Sequence, residues 1–273
     1  MAGLCWMVVT VTVLVSTEIS SAVDQNQLKV IVQEIQNRYR PSYVDKNQVQ
    51  KFPMFSVAVT VPYNNDQKTY DMTEVHEDGQ QVRDTILKCR VYTSSRVVAA
   101  TVLRWPNVLS QCPDELVQWP HVLRNCKKGV KTWADVQKYC PEAVHEGRAD
   151  HAEYRILQNF NSLITNRNRN DLLVFYVRAS PCPSRCTRPD SHWNILTSIT
   201  QVTGWDNYAV VFSDIFKPRD GSWIAEEEQR GALERLATDI GLKNIFRCYG
   251  QGSAFQCTSC SEKGSVNEQC YKP

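Results

Sequence analysis

Two short segments of this 273-residue chain carry residue types that could do chemistry together. His151-Ala152-Glu153 sets an imidazole and a carboxylate two positions apart, and Ser180-Pro181-Cys182-Pro183-Ser184-Arg185-Cys186 sets two thiols four positions apart. Twenty-seven residues separate Glu153 from Pro181. One imidazole and two thiolates make a three-ligand protein set for zinc, with the fourth position left open to water. Glu153 is not needed as a ligand, and a carboxylate beside an activated water can shuttle protons. Each segment alone has a plainer meaning. Asp150-His151-Ala152-Glu153 resembles a helix N-cap followed by a carboxylate, and Cys182 with Cys186 reads as a local disulfide if the chain is exported. Their order, and the strand between them, favour a metal centre.

The pattern from residue 150 onward brings the two segments to one place. Tyr154, Leu157, Phe160 and Ile164 share one face of a helix. Side chains in a first helical turn lean back toward its N-terminus, so His151 and Glu153 both address a site capping that end. Residues 171–180 are a continuous apolar strand that delivers Cys182 and Cys186 at its carboxyl edge, where α/β sheets bind ligands. Residues 189–202 read as a helix with Asp190 as N-cap, and residues 207–216 as a second buried strand. Leu233, Leu236 and Ile240 turn inward on a helix ended by Gly241, and a short last strand follows. This alternation makes an α/β sheet whose later strands run parallel.

Upstream, Leu28, Ile31, Val32 and Ile35 form the stripe of a core-facing helix stopped near Pro41. Residues 54–62 are a strand ended by Pro62, residues 64–81 a polar hairpin loop, and about 85–103 a second extended stretch broken near Ser94. Residues 105–147 hold prolines, three cysteines and an amphipathic piece, and read as a disulfide-bound insertion. His76, His121, His145 and His192 have no partnered spacing, Arg167 and Arg169 sit in a solvated loop, and no elbow motif supports a serine nucleophile.

The compartment follows from the N-terminus. Residues 4–15 are apolar apart from threonines, too short for a bilayer span, which takes about 20 residues, and Ser20 and Ala22 are small where a signal peptidase cuts. The expectation is a signal peptide over 1–22 and an exported chain with no membrane anchor. The whole chain has 31 basic and 29 acidic residues. Losing Glu18 with the leader leaves 31 against 28, a net charge of +3, so no global field recruits a polyanion. No Asn-x-Ser/Thr acceptor is present. Without Cys5, ten cysteines remain. Their even number fits five disulfides, or four disulfides and a two-cysteine metal site. Cys89, Cys112, Cys126 and Cys140 group around the insertion, and Cys248, Cys257, Cys260 and Cys270 in the tail, where disulfides are favoured over a structural zinc.

The H-x-E segment and the later P-C-x3-C segment resemble the signature of zinc-dependent deaminases. Over roughly residues 50–250 the chain resembles the AID/APOBEC-like branch of the cytidine-deaminase superfamily, and with its leader and extra cysteines it looks most like the secreted novel AID/APOBEC-like deaminases. The resemblance implies a three-layer α/β/α sandwich with a five-stranded mixed sheet whose last strands are parallel, as in the polynucleotide-editing branch. It implies a deaminase domain over 23–250 and a Cys-rich tail over 251–273. It further implies zinc on His151, Cys182 and Cys186, and Glu153 as the proton shuttle for hydrolysis of cytosine to uracil. The substrate would be a cytosine-containing nucleoside or single-stranded nucleic acid. Ala152 N–H and the Ser180 carbonyl would hold the pyrimidine edge. In residues 217–223, Arg219 would suit a phosphate and Trp223 a stacked base. Editing relatives carry a tryptophan two residues before the proline; Ala179 stands there in this chain. A catalytically silent binding or immune-modulating protein that keeps the zinc, and adenine deamination, are the alternatives.

Overall fold

The apolar runs pair into one mixed sheet in the computed structural model, which describes residues 23–272. The leader expected over 1–22 lies outside the described residues. Strands β1 (Phe55–Val61), β2 (Val97–Thr101), β3 (Leu172–Ala179), β4 (Asn207–Asp214) and β5 (Ile245–Tyr249) lie side by side in the order β2-β1-β3-β4-β5. β1 is antiparallel to both neighbours, whereas β3, β4 and β5 are parallel, with Leu172 opposite Asn207 and Ala179 opposite Asp214. Two short edge strands extend these five to seven: Tyr92–Thr93 beside β2 and Gln256–Ser259 beside β5. The second folds back because Cys248 and Cys257 face each other across the pair and are disulfide-bonded.

Every residue of β1 and β2 is buried, because helices cover both faces of the sheet. Helices α1 (Gln25–Tyr39) and α2 (Gly79–Leu87) pack on one face against Val57, Val59, Val174 and Val211. On the other face lie α3 (Ala152–Leu157), α4 (Glu226–Ile240) and the shorter helices Asn161–Thr165 and Leu196–Ile199, against Ala58, Phe175, Val177 and Phe212. The fold is thus a three-layer α/β/α sandwich. α1 buries Leu28, Ile31, Val32 and Ile35 as the stripe predicts, and Asp24 caps it by accepting from the Gln27 N–H. Gly241 ends α4 with φ of 75°, a conformation that suits glycine.

Three expectations are corrected. The extended stretch from Thr85 is helical at its start: Asp78 caps α2, and Val82 and Ile86, one turn apart, are its buried anchors. The helix expected over 189–202 shrinks to Leu196–Ile199 plus a 3-10 segment, Thr200–Gly204. Asp190 is paired with Arg188 instead of capping, and the Asn194 amide donates to the Pro189 and Ser191 carbonyls. Such local side-chain bonds compete with helical ones. The helix expected through 150–164 divides after Leu157, where the Asn159 amide donates to the Arg155 carbonyl.

Residues 105–147 form helices Val108–Gln111, Pro120–Asn125 and Trp133–Tyr139 around a small core of Trp105, Trp119, Trp133, Val122 and Val136. Trp119 meets Trp133 edge to face at 5.0 Å. Strand Leu103–Arg104 pairs with Ala149–Asp150 and closes the two ends of this segment on each other. Disulfides join Cys89 to Cys112, Cys126 to Cys140, Cys248 to Cys257 and Cys260 to Cys270. The cysteines pair within the middle and tail groups, and Cys182 and Cys186 alone remain free among the described residues. No helix of the described residues is long and apolar enough to cross a membrane.

Candidate metal centre

His151 is the N-cap residue of α3, with extended backbone, and its side chain makes no capping bond. The imidazole is therefore free to face the loop after β3. That loop turns tightly: the Cys186 N–H donates to the Cys182 carbonyl at 3.1 Å, and the Ile195 N–H to the Cys186 carbonyl at 2.8 Å. Arg235 of α4 fixes the loop's end by donating to the Thr187 carbonyl at 2.7 Å. His151 Nδ1 then lies 3.0 Å from Cys186 Sγ and 3.7 Å from Cys182 Sγ, and the two sulfurs are 3.3 Å apart. That sulfur separation is no covalent bridge, since a disulfide measures about 2.0 Å.

The donor set fits zinc in chemistry and in spacing. Bonds of about 2.3 Å to sulfur and 2.0–2.1 Å to nitrogen at tetrahedral angles separate ligand atoms by about 3.5–3.8 Å. The trio is slightly contracted from that figure and needs only small movements to close on an ion. His151, Cys182 and Cys186 can therefore hold a metal, and they form the one such group found among the described residues.

Glu153 follows His151 by half a turn and is buried. Its Oε1 is 3.0 Å from Cys186 Sγ and 3.6 Å from His151 Nδ1. Burial opposes charge on His151, but hydrogen bonds to Cys182 and Glu153, and their charges, push it up to about 10. Burial likewise opposes ionised Glu153, and the His151 imidazolium brings it below the usual carboxylate range. The Cys186 thiol donates to Cys182 and, against burial, His151 helps draw Cys182 down to about 5. The His151 imidazolium thus stands with the Glu153 carboxylate, the Cys182 thiolate and the Cys186 thiol, which its neighbours and burial push up.

These groups floor a cavity of about 740 Å³ at the carboxyl ends of β3 and β4. His151, Ala152, Glu153 and Ser180 line it, with the two thiols behind. The Ser180 hydroxyl accepts from the Phe216 N–H at 2.9 Å and joins the loop after β3 to the loop after β4. Ala179 lines the cavity too, so a methyl group stands where editing relatives have a tryptophan wall. Arg219 reaches this cavity, whereas Trp223, 73% exposed, lines an adjoining hollow of about 320 Å³. Phe216 and Lys217 are shared by both.

Several residues at the site carry no recognisable sequence signal. Asp150, which precedes His151, accepts from Trp119 Nε1 at 2.7 Å and from Trp193 Nε1 at 3.0 Å. It therefore links the 105–147 core to the segment after the second thiol. Arg155 of α3 is a buried cation whose hydrogen bonds run to the Thr101 and Cys89 carbonyls and Gln118 Oε1. Phe52 and Met54, half exposed, stand with Arg104 on the cavity's rim. Nothing in local spacing joins these residues to His151; the tertiary fold does.

Comparison with known proteins adds a family. A family model described as Secreted Novel AID/APOBEC-like Deaminase 1 matches residues 134–273, just over half of the chain and inclusive of His151, Glu153, Cys182 and Cys186. No curated protein and no solved structure matches the chain.

Proposed function

The chain belongs to the family described as Secreted Novel AID/APOBEC-like Deaminase 1, and from that membership we propose a secreted, zinc-dependent hydrolytic deaminase that converts cytosine to uracil in nucleosides or single-stranded nucleic acid. What carries the reading is the buried Glu153 carboxylate, 3.0 Å from Cys186 Sγ and 3.6 Å from His151 Nδ1, at the floor of an open cavity. A structural metal site would have no use for that carboxylate. Four disulfides support an oxidising destination, as does the expected leader.

His151, Cys182 and Cys186 would hold zinc, which when bound supplies a Lewis acid and lets water attack near neutral pH. Glu153 takes a proton from the attacking water and gives it to the ring nitrogen N3. It then takes the second proton from the hydroxyl now on C4 and gives it to the amine, so that the C4–N bond breaks, ammonia leaves, and cytosine and water become uracil and ammonia. The Ala152 N–H donates to the ring carbonyl, and the Ser180 carbonyl accepts from the amine. Arg219 meets a phosphate, and Trp223, in the next hollow, offers a ring to a neighbouring base. Duplex bases hide C4, so the target enters unpaired or flipped out. The parallel β4–β5 pair favours the polynucleotide-editing branch over free-nucleoside enzymes.

The test is purified protein loaded with zinc and assayed for uracil production. Glu153→Gln should lower turnover by about 10²–10⁴-fold, the usual worth of a general acid–base group, while the zinc content stays at that of the wild type. Equal turnover in the two proteins would sink the mechanism. Stoichiometric zinc without turnover of any cytosine substrate would leave a binding role for this fold.

A further inference from the structure

The cavity that Glu153 lines also holds positive charge beyond the Arg219 that the mechanism above uses. Arg104, Lys217 and Arg219 all line the cavity. The side chains of Arg104 and Lys217 make no hydrogen bond or ion pair among the described residues, and Arg219 donates only to the neutral amide oxygen of Asn107, at 2.8 Å. Arg104 Nε is buried with no hydrogen-bond partner. A buried donor left unmet on a cation is costly, and these cations stand close enough to oppose one another. Burial, and then the charge of Arg219, pull Arg104 below its ordinary value; Glu146 acts the other way, and Arg185 adds a smaller push down.

The backbone aims this charge. Strand Leu103–Arg104 pairs with Ala149–Asp150 so that Arg104 is opposite Ala149, two residues before His151. Asn107, three residues beyond Arg104, holds Arg219 from the loop after β4. One guanidinium thus comes from the strand just before the 105–147 segment and the other from the loop after β4. Their fork of donors suits phosphate oxygens, which accept in the same plane.

We infer that Arg104 is a specificity-determining residue that, with Arg219, binds a phosphate of the target nucleotide, so that the substrate is a phosphate-bearing cytosine nucleotide or strand and not the free nucleoside. The inference rests on the deaminase reading for the identity of the base, but not for the phosphate. An anion bound by the two guanidiniums relieves their repulsion and gives Arg104 the counter-charge it lacks. A neutral nucleoside leaves both costs in place.

The experiment compares kcat/KM for cytidine, cytidine 5′-monophosphate and a short single-stranded oligonucleotide with one cytosine, in wild type, Arg104→Met and Arg104→Lys. Loss of a charge-assisted bond to phosphate amounts to about 10- to 100-fold. The wild type should favour both phosphate-bearing substrates over cytidine. Arg104→Met should shrink that preference by this factor, and Arg104→Lys should restore part of it. Preference for the mononucleotide identifies a terminal phosphate, and preference for the oligonucleotide a backbone phosphate. Equal efficiency on all three substrates, or an equal loss on all three in Arg104→Met, overturns the inference. If the wild type deaminates none of them, the deaminase reading has failed by itself. Calorimetric titration of the zinc-loaded proteins with cytidine 5′-monophosphate and with the oligonucleotide then decides. Tenfold or greater weakening in Arg104→Met for either upholds the phosphate site, and unchanged affinity, or no binding by wild type, overturns it.

Discussion

Replacing Asp150 with alanine removes the acceptor that two indoles share. Trp119 Nε1 donates to it at 2.7 Å and Trp193 Nε1 at 3.0 Å. Trp119 is only 2% exposed, so its N–H finds no water in compensation, whereas the half-buried Trp193 partly does. A hydrogen bond to a charged group is worth about 1.5–3 kcal/mol, which puts Asp150→Ala at about 3–4 kcal/mol. Both indoles also carry a guanidinium on the ring face: Arg148 lies 4.5 Å from the Trp119 ring centre, and Arg185 lies 5.6 Å from that of Trp193. Asp150→Asn keeps one acceptor oxygen and should cost about half as much. The assay is denaturant unfolding with the disulfides intact, run as a cycle with Trp119→Phe. If the bond is real, Asp150→Ala and Trp119→Phe are non-additive by about 1.5–3 kcal/mol, against about 0.5 kcal/mol for independent sites. Because the next residue is His151, zinc retention should fall in step with stability. An additive cycle, or a loss under about 0.5 kcal/mol for Asp150→Ala, would refute the reasoning.

Stripping zinc with a chelator should lower the melting temperature without unfolding the chain, since two hydrophobic cores and four disulfides stand without the ion; loss of the folded circular-dichroism signal would contradict that. Leu236→Ala, fully buried on α4 in the core that also packs Cys182 and Cys186, should cost about 2–5 kcal/mol in the same unfolding assay. Removing Cys89–Cys112, with its separation of 23 residues, should cost about 3 kcal/mol and weaken zinc retention, because Arg155 of α3 bonds the Cys89 carbonyl. Removing Cys248–Cys257, on the opposite edge of the sheet, should destabilise without weakening zinc retention. Equal zinc loss in both disulfide variants would disconnect the first disulfide from the metal centre.

The parts legible in the sequence are those that local period or spacing encodes. β3 and β4 are long apolar runs bounded by polar turns, and α1 and α4 carry unbroken stripes with Asp24 and Gly241 at their ends. The trio of His151, Cys182 and Cys186 was legible because a strand of known rise must separate an α3 start from a β3 end. α2 is harder to see: its nine residues bury only Val82 and Ile86, too few to show a period, and Thr85 and Ile86 are β-branched. The shortened helix at 196–199 depends on the Asn194 and Arg188 side chains choosing local partners. For Trp223 the pattern marks the loop but not which of two hollows receives the ring. The roles of Asp150, Arg155 and Arg104 depend on contacts with partners from 31 to 66 residues away, or on pairing across the closed ends of 105–147, and no window contains them.

A six-residue helix cannot hold the proposed ligand and the proposed proton shuttle in register by itself. Helices shorter than about 12 residues are marginal in water, yet α3 carries both His151 and Glu153 in its first turn. Its stability is borrowed from both ends. At the start, Asp150 ties it to the tryptophan core of 105–147 and to Trp193 after the thiol loop. One turn later, Arg155 spends its buried charge on the carbonyls of Thr101 and of the disulfide-bonded Cys89. Burial pushes Arg155 down only to about 10, so it remains a cation near pH 7 and keeps those bonds. The 105–147 segment, which contributes no metal ligand, therefore bears on the chemistry through α3. It braces the helix that carries the imidazole, and the strand that leads into it brings Arg104 to the same cavity. The disulfide at Cys89 is thus part of the frame that holds His151 and Glu153 against the two thiols, and reducing it should loosen that frame.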